Sequence, residues 1–134
     1  MAELSLWADF SHLSGIRHFV GETCEALGVP ERVQYELELA VDEACTNIIE
    51  HAYCEKGGKI EIKIDAVEEG VRVIVRDWGR PFDPESVPCP DINAPLEQRP
   101  IGGVGLFLMR ELMDKVEFEF DANAGNTLTM TKRL

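Results

Sequence analysis

The sequence is short of positive charge. Thirteen Lys and Arg stand against 25 Asp and Glu, a formal net charge of −12 with a sequence pI near 4.6. Long-range repulsion opposes nucleic acid or an anionic membrane surface as a partner, although a local site can still hold a small anion. A basic, apolar leader is also missing from "MAELSLWADF", Met1 to Phe10, so no secretory signal peptide is expected. No apolar run approaches the roughly 20 residues of a bilayer-crossing helix. The four cysteines, Cys24, Cys45, Cys54 and Cys89, form no CxxC pair and lack the density of a disulfide scaffold. Free thiols in a cytoplasmic protein are expected. Internal repeats and low-complexity segments are absent too. What remains is a chain of 134 residues, 45% hydrophobic, which predicts a single domain over residues 1–134 with an ordinary core.

The apolar residues recur with clear periods. "ELSLWA" alternates Leu4, Leu6 and Ala8 and predicts a first strand. Ser11 is placed to cap a helix carrying Leu13, Ile16, Val20, Cys24 and Leu27, which Gly28 stops. After Pro30, a second helix places Val33, Leu37, Ala40, Val41, Ala44 and Ile48 on one stripe and ends near Tyr53. Glu36, Glu43, Asn47 and Glu50 border that stripe. "KIEIKIDAV" and "VRVIVRD" form one alternating pair of strands; "VEFEFD" and "TLTMTKR" form another, turned around Ala124-Gly125-Asn126. Each strand has one polar face. The fold expected is α+β, a two-layer α/β sandwich with helices on one face of a mostly antiparallel sheet.

Between the hairpins, residues 80–101 hold six of the seven prolines and no recognisable element. A loop this long in a compact domain is usually a functional lid or disordered. It runs into "GGVGLFLMRELMD", where Gly102, Gly103 and Gly105 open a short helix. Glycines entering a helix let backbone N–H groups approach an anion, and the same pattern also suits close packing on a sheet. Neither a dinucleotide fingerprint nor a Walker A loop explains it. The glycines do not follow a strand, and no Lys-Ser or Lys-Thr follows them.

Two further motifs carry chemistry. In "RDWGRPFDP", Asp77 ends a strand and Gly79 permits a close approach. A carboxylate there can accept from an exocyclic amine such as that of adenine; an Asp-Gly turn beside the loop is the plainer alternative. In "VDEACTNIIEHAY", Glu43 and Asn47 stand one helical turn apart. Asn47 can offer a carbonyl oxygen to Mg²⁺, and Glu43 can take a proton from an attacking hydroxyl. The pair also suits a helix showing a polar edge to solvent.

In the order Glu-x-x-x-Asn, Asp-x-Gly, Gly-x-Gly, these motifs together resemble the Bergerat-type ATPases, the superfamily of gyrase, the histidine kinases and MutL. Over nearly the whole chain the sequence is similar to the small single-domain serine-protein kinases that act as anti-sigma factors. The resemblance implies an ATP site made by Asn47, Asp77, Gly79, Gly102, Gly103, Val104, Gly105, Leu106 and Thr127, with Glu43 as catalytic base. It implies Asn47 as the metal ligand, ATP and Mg²⁺ as cofactors, and a lid at about 80–101. His51 stands one turn after Asn47, where the relatives often place a base near the phosphates, though it equally suits packing; Arg99, just before the glycines, can reach a γ-phosphate when the lid closes or can be a solvated loop charge. Pro81 replaces a second glycine of the wider superfamily. The implied partners are a STAS-domain antagonist that is phosphorylated and a sigma factor, with a homodimer as the assembly. The alternative is a nucleotide-binding module that sequesters a partner without kinase activity.

Overall fold

The structure, a computed structural model, describes residues 1–81, 104–121 and 123–134, with the backbone alone at 104 and 105. Five strands, β1 (Ala2–Trp7), β2 (Lys59–Val67), β3 (Gly70–Asp77), β4 (Lys115–Asp121) and β5 (Gly125–Arg133), form one antiparallel sheet in the order β1-β2-β3-β5-β4. Three helices, α1 (Leu13–Leu27), α2 (Glu31–Asn47) and α3 (Val104–Leu112), form the second layer. This is the expected α+β sandwich.

Register explains the layering. Leu4, Ile62, Val75, Leu128 and Phe118 lie in one row across the five strands; Ala2, Ile64, Val73, Met130 and Val116 lie in the next. Period-two alternation puts these residues on one face. Ile62, Ile64, Val73 and Val75 are each no more than 1% exposed. Burial of each such side chain contributes about 1.5–3 kcal/mol. Against this face α1 sets Ile16, Val20 and Cys24, and α2 with the turn that follows it sets the stripe of Val33, Leu37, Ala40, Val41, Ala44 and Ile48, all buried. Leu27, expected on the α1 stripe, is exposed.

The apolar face has polar ends. One row further along, Ile60, Asp77, Asn126 and Phe120 are aligned, so a carboxylate and an amide close one end. At the other end, Lys132 follows Met130 on the same pleat. Its Nζ lies 2.6 Å from Glu36 Oε2 on α2 and donates to the Leu112 carbonyl at the end of α3, at 2.7 Å. A cation at that terminus complements the helix dipole.

Local chemistry sets the boundaries. Gly28 ends α1 at φ 73°, a left-handed conformation that favours glycine, and its N–H donates to the carbonyls of Cys24 and Glu25. The first cap differs from expectation. Asp9, not Ser11, receives the hydrogen bonds: Ser11 N and Oγ both donate to Asp9 Oδ1, opening a 3-10 turn at Phe10–His12. The α2 segment continues to Ala52, but its last turn, Ile48–Ala52, is a π-helix. Such a turn widens the helix and is frequent at functional sites. No described helix is long and apolar enough to cross a membrane.

Candidate functional site

A cleft lies between α2, α3 and the β5 side of the sheet. Its walls are largely apolar: Ala44 from α2, Ile48 from the π-turn that continues it, Met109 from α3, and Phe118, Phe120 and Leu128 from the sheet. Asn47, Asp77, Asn126 and Thr127 supply its polar groups. Thus Asn47 and Asp77, from separate motifs, meet at one cleft. An apolar slot with a few convergent polar groups is the usual form of a small-molecule site.

Asp77 is only 4% exposed. Its Oδ1 accepts from Gly79 N and from Asn126 Nδ2, each at 2.9 Å. Among the described residues no donor is recorded on Oδ2. Burial raises this carboxyl above the usual range, while the Asn126 and Gly79 bonds pull it back down. The carboxylate is therefore held in one orientation with an acceptor to spare.

The backbone after Asp77 is pinned by the π-turn. A Cβ on Gly79 would lie 2.5 Å from the Ala52 carbonyl oxygen, so only glycine fits the close approach. Arg80 N donates to that same oxygen at 2.9 Å. Tyr53 completes the brace: its hydroxyl donates to Lys59 O at 2.6 Å and accepts from Trp78 N at 2.8 Å. The C-terminal end of α2, the start of β2 and the end of β3 are thereby tied together.

Glu43 is half-buried one turn before Asn47 and is not among the cleft-lining residues. Burial raises its carboxyl above the ordinary range, and Asp42 adds to the shift. Glu50 is raised for the same first reason, with Glu55 and Glu43 adding repulsion. His51 has its side chain only 12% exposed, with Nε2 3.7 Å from Glu50 Oε2. Burial and then the Arg80 charge lower its pKa, which favours a neutral imidazole. His51 does not line the cleft.

Thr127 borders the cleft, but its register partners, Arg76 and Glu119, belong to rows of the opposite pleat. The inward residue is its neighbour Asn126, which sequence reasoning assigned to a turn. The available signal was the alternation itself: Asn126 precedes Leu128 and Met130 by two and four positions. Leu106 is buried against the core of the α3 layer. Val104 and Gly105 begin α3. Arg99, Gly102, Gly103 and nearly all of the lid at 80–101 lie outside the described residues.

Comparison with known proteins bears on the family and the fold. The family described as histidine kinase-like ATPase domain matches residues 6–132. The chain is 37% identical over 126 residues to serine-protein kinase RsbW of Halalkalibacterium halodurans, covering 91% of this chain and 72% of that protein. It is 34% identical over 134 residues to serine-protein kinase RsbW of Bacillus cereus, covering 97% and 82%. The RsbU and RsbW domains of a Mycobacterium tuberculosis protein superpose with a TM-score of 0.69 at 21% identity, over all of this chain and 33% of that one. The chain spans about a third of that structure, and the likeness speaks for the fold alone. A cleft walled by α2, α3 and β5, with Asp77 at its end, thus sits in a chain that belongs to the histidine kinase-like ATPase domain family, among the relatives of serine-protein kinase RsbW.

Proposed function

We propose that the chain, as one ATP-binding kinase domain, binds Mg·ATP in this cleft and transfers the γ-phosphoryl group to a serine or threonine of a partner protein. The observation that carries the reading is the Asp77 carboxylate at the end of an apolar slot, one oxygen held by two donors and the other with none among the described residues. A planar base fits apolar walls, and an exocyclic amine fits the spare acceptor. The names of the relatives support the kinase reading.

The residues divide the work. Asp77 and the close turn at Gly79 receive the base. Asn47 lines the same cleft, and its amide oxygen is the proposed ligand of the metal. Among the described residues no group of three or more His, Cys, Asp or Glu forms a metal cage. That suits Mg²⁺, which keeps its waters and binds through one or two protein oxygens together with phosphates. When bound, the ion neutralises charge on the phosphate oxygens. In this reading Gly102, Gly103 and Gly105, at and before the start of α3, contribute backbone N–H groups to the phosphates. Glu43, its carboxyl raised by burial, accepts the proton of the attacking hydroxyl. Positioning and charge stabilisation supply most of phosphoryl-transfer catalysis, so so few groups suffice.

The partner proposed is a STAS-domain antagonist in a partner-switching pathway with a sigma factor, in the cytoplasm, with the kinase as a homodimer. One observation favours a second reading, a nucleotide-binding module that sequesters its partner: Glu43 is off the cleft lining. The test is transfer of labelled γ-phosphate to a purified STAS partner, with and without Mg²⁺. Label on the partner, lost when its acceptor serine is replaced by alanine, supports the kinase. ATP binding with no label on the partner supports the sequestering module.

A further inference from the structure

Asn126 is 3% exposed, and its Oδ1 is buried with no hydrogen-bond partner among the described residues. Its amide cannot simply be turned round to remove the orphan. Nδ2 donates to Asp77 Oδ1 at 2.9 Å and to the Gly79 carbonyl at 3.1 Å. Exchanging the two ends would set an acceptor against two acceptors. The orientation is therefore fixed by the neighbours, and a neutral acceptor is left over on a residue that lines the cleft. Buried polar atoms are nearly always paired, so an orphan acceptor on a cleft-lining residue calls for a donor, which a bound molecule can supply.

We propose that Asn126 is a specificity-determining residue for the bound base: its Oδ1 accepts one N–H of a 6-amino purine while Asp77 accepts the other. This rests on the nucleotide reading above and adds to it. Asp77 alone asks for one N–H. Asp77 with Asn126 asks for an unsubstituted amine. A 6-oxo purine would turn its own oxygen toward two acceptors. An N6-methylated adenine would offer a methyl group where one acceptor needs a proton. Each polar group left unpaired in a buried site costs affinity, so the pair rejects both.

The experiment compares binding of ATP, N6-methyl-ATP and purine riboside triphosphate, which has no amine, to the wild type and to Asn126→Ala. A neutral hydrogen bond is worth roughly two- to twelvefold in affinity. The wild type is expected to prefer ATP over N6-methyl-ATP by about tenfold or more. In Asn126→Ala the two are expected within about twofold, while both still exceed purine riboside triphosphate through Asp77. Loss of Asn126 as a mere brace for Asp77 would weaken ATP and N6-methyl-ATP alike and leave their ratio unchanged. That result overturns the proposal, as does a wild type that binds the two equally. A wild type that binds no ATP overturns the nucleotide reading itself. Asn126→Val, a better strand former with no acceptor, gives the same ratio test if the alanine variant does not melt cooperatively.

Discussion

Asp77→Asn is expected to separate binding from stability. In the wild type one carboxylate oxygen accepts from Gly79 N and Asn126 Nδ2, and the other, with no donor among the described residues, is the proposed acceptor for the base. An asparagine can keep the first arrangement by turning its carbonyl oxygen to the two donors. Its NH₂ must then occupy the second position, where it meets a donor on the base instead of accepting from it. Loss of a hydrogen bond to a charged group costs about 1.5–3 kcal/mol, roughly 10- to 100-fold in affinity, before the donor–donor clash is added. Stability should move the other way. Asp77 is buried and its carboxyl is held above the ordinary range by that burial. A carboxyl whose pKa is raised on folding favours the folded state below its unfolded value, and this advantage is lost as pH rises through the folded value. Above that window the ionised form is a burden on the nucleotide-free protein. Asp77→Asn should therefore be at least as stable as the wild type at pH 7. The wild-type-minus-variant difference should decline between the ordinary carboxylate pKa and the raised one. Urea midpoints without nucleotide, taken from pH 4 to pH 7, measure this beside calorimetric titration with ATP. A variant that binds ATP normally, or that is several kcal/mol less stable at pH 7, would refute the assignment of Asp77 as a fixed acceptor.

Other substitutions should fail in different ways. Glu43→Ala should bind ATP nearly normally and lose phosphoryl transfer by ~10²–10⁴-fold; wild-type transfer by this variant would leave the sequestering reading. Asn47→Ala should lose the gain in ATP affinity that Mg²⁺ gives the wild type, measured as the ratio of affinities with and without the ion. Gly79→Ala forces a Cβ to 2.5 Å from the Ala52 carbonyl oxygen, and should cost about 1–3 kcal/mol in urea denaturation. Lys132→Met removes the donor to Leu112 O and leaves the part-buried Glu36 carboxylate without its cation. It should cost about 1–3 kcal/mol, with the loss shrinking when Glu36→Gln is added.

Where the sequence was legible, one period dominated. β2 occupies Lys59–Val67, the segment that alternation marked, because its three isoleucines all face the helices. The stripe on α2 is buried at every position named from the wheel. Where two local signals competed, reading was harder. Asn126 follows a glycine and looks like a turn, yet pairing with Asp77 draws it into β5. Ser11 looks like a cap, yet Asp9 stands one residue outside the turn and takes both of its donors. The π-turn at Ile48–Ala52 has no sequence period of its own; it appears where α2 meets the Gly79 backbone. Asn47 and Asp77 were both named from the sequence, but their convergence depends on strand order, which no single segment encodes.

That strand order has a consequence for how the chain is made. β5 comes last among the strands but lies inside the sheet, between β3 and β4. Until residues up to Arg133 have left the ribosome, β3 has an unpaired edge and its valines lack the row-mates Leu128 and Met130. Such an edge is a template for wrong pairing with another chain. The Asp77–Asn126 contact spans 49 residues of sequence, so it forms only after a large loop has closed. Nucleotide capture would then report on the last pairing of the sheet, and a nascent chain stalled before β5 would be left to chaperones, with nothing for the nucleotide to stabilise.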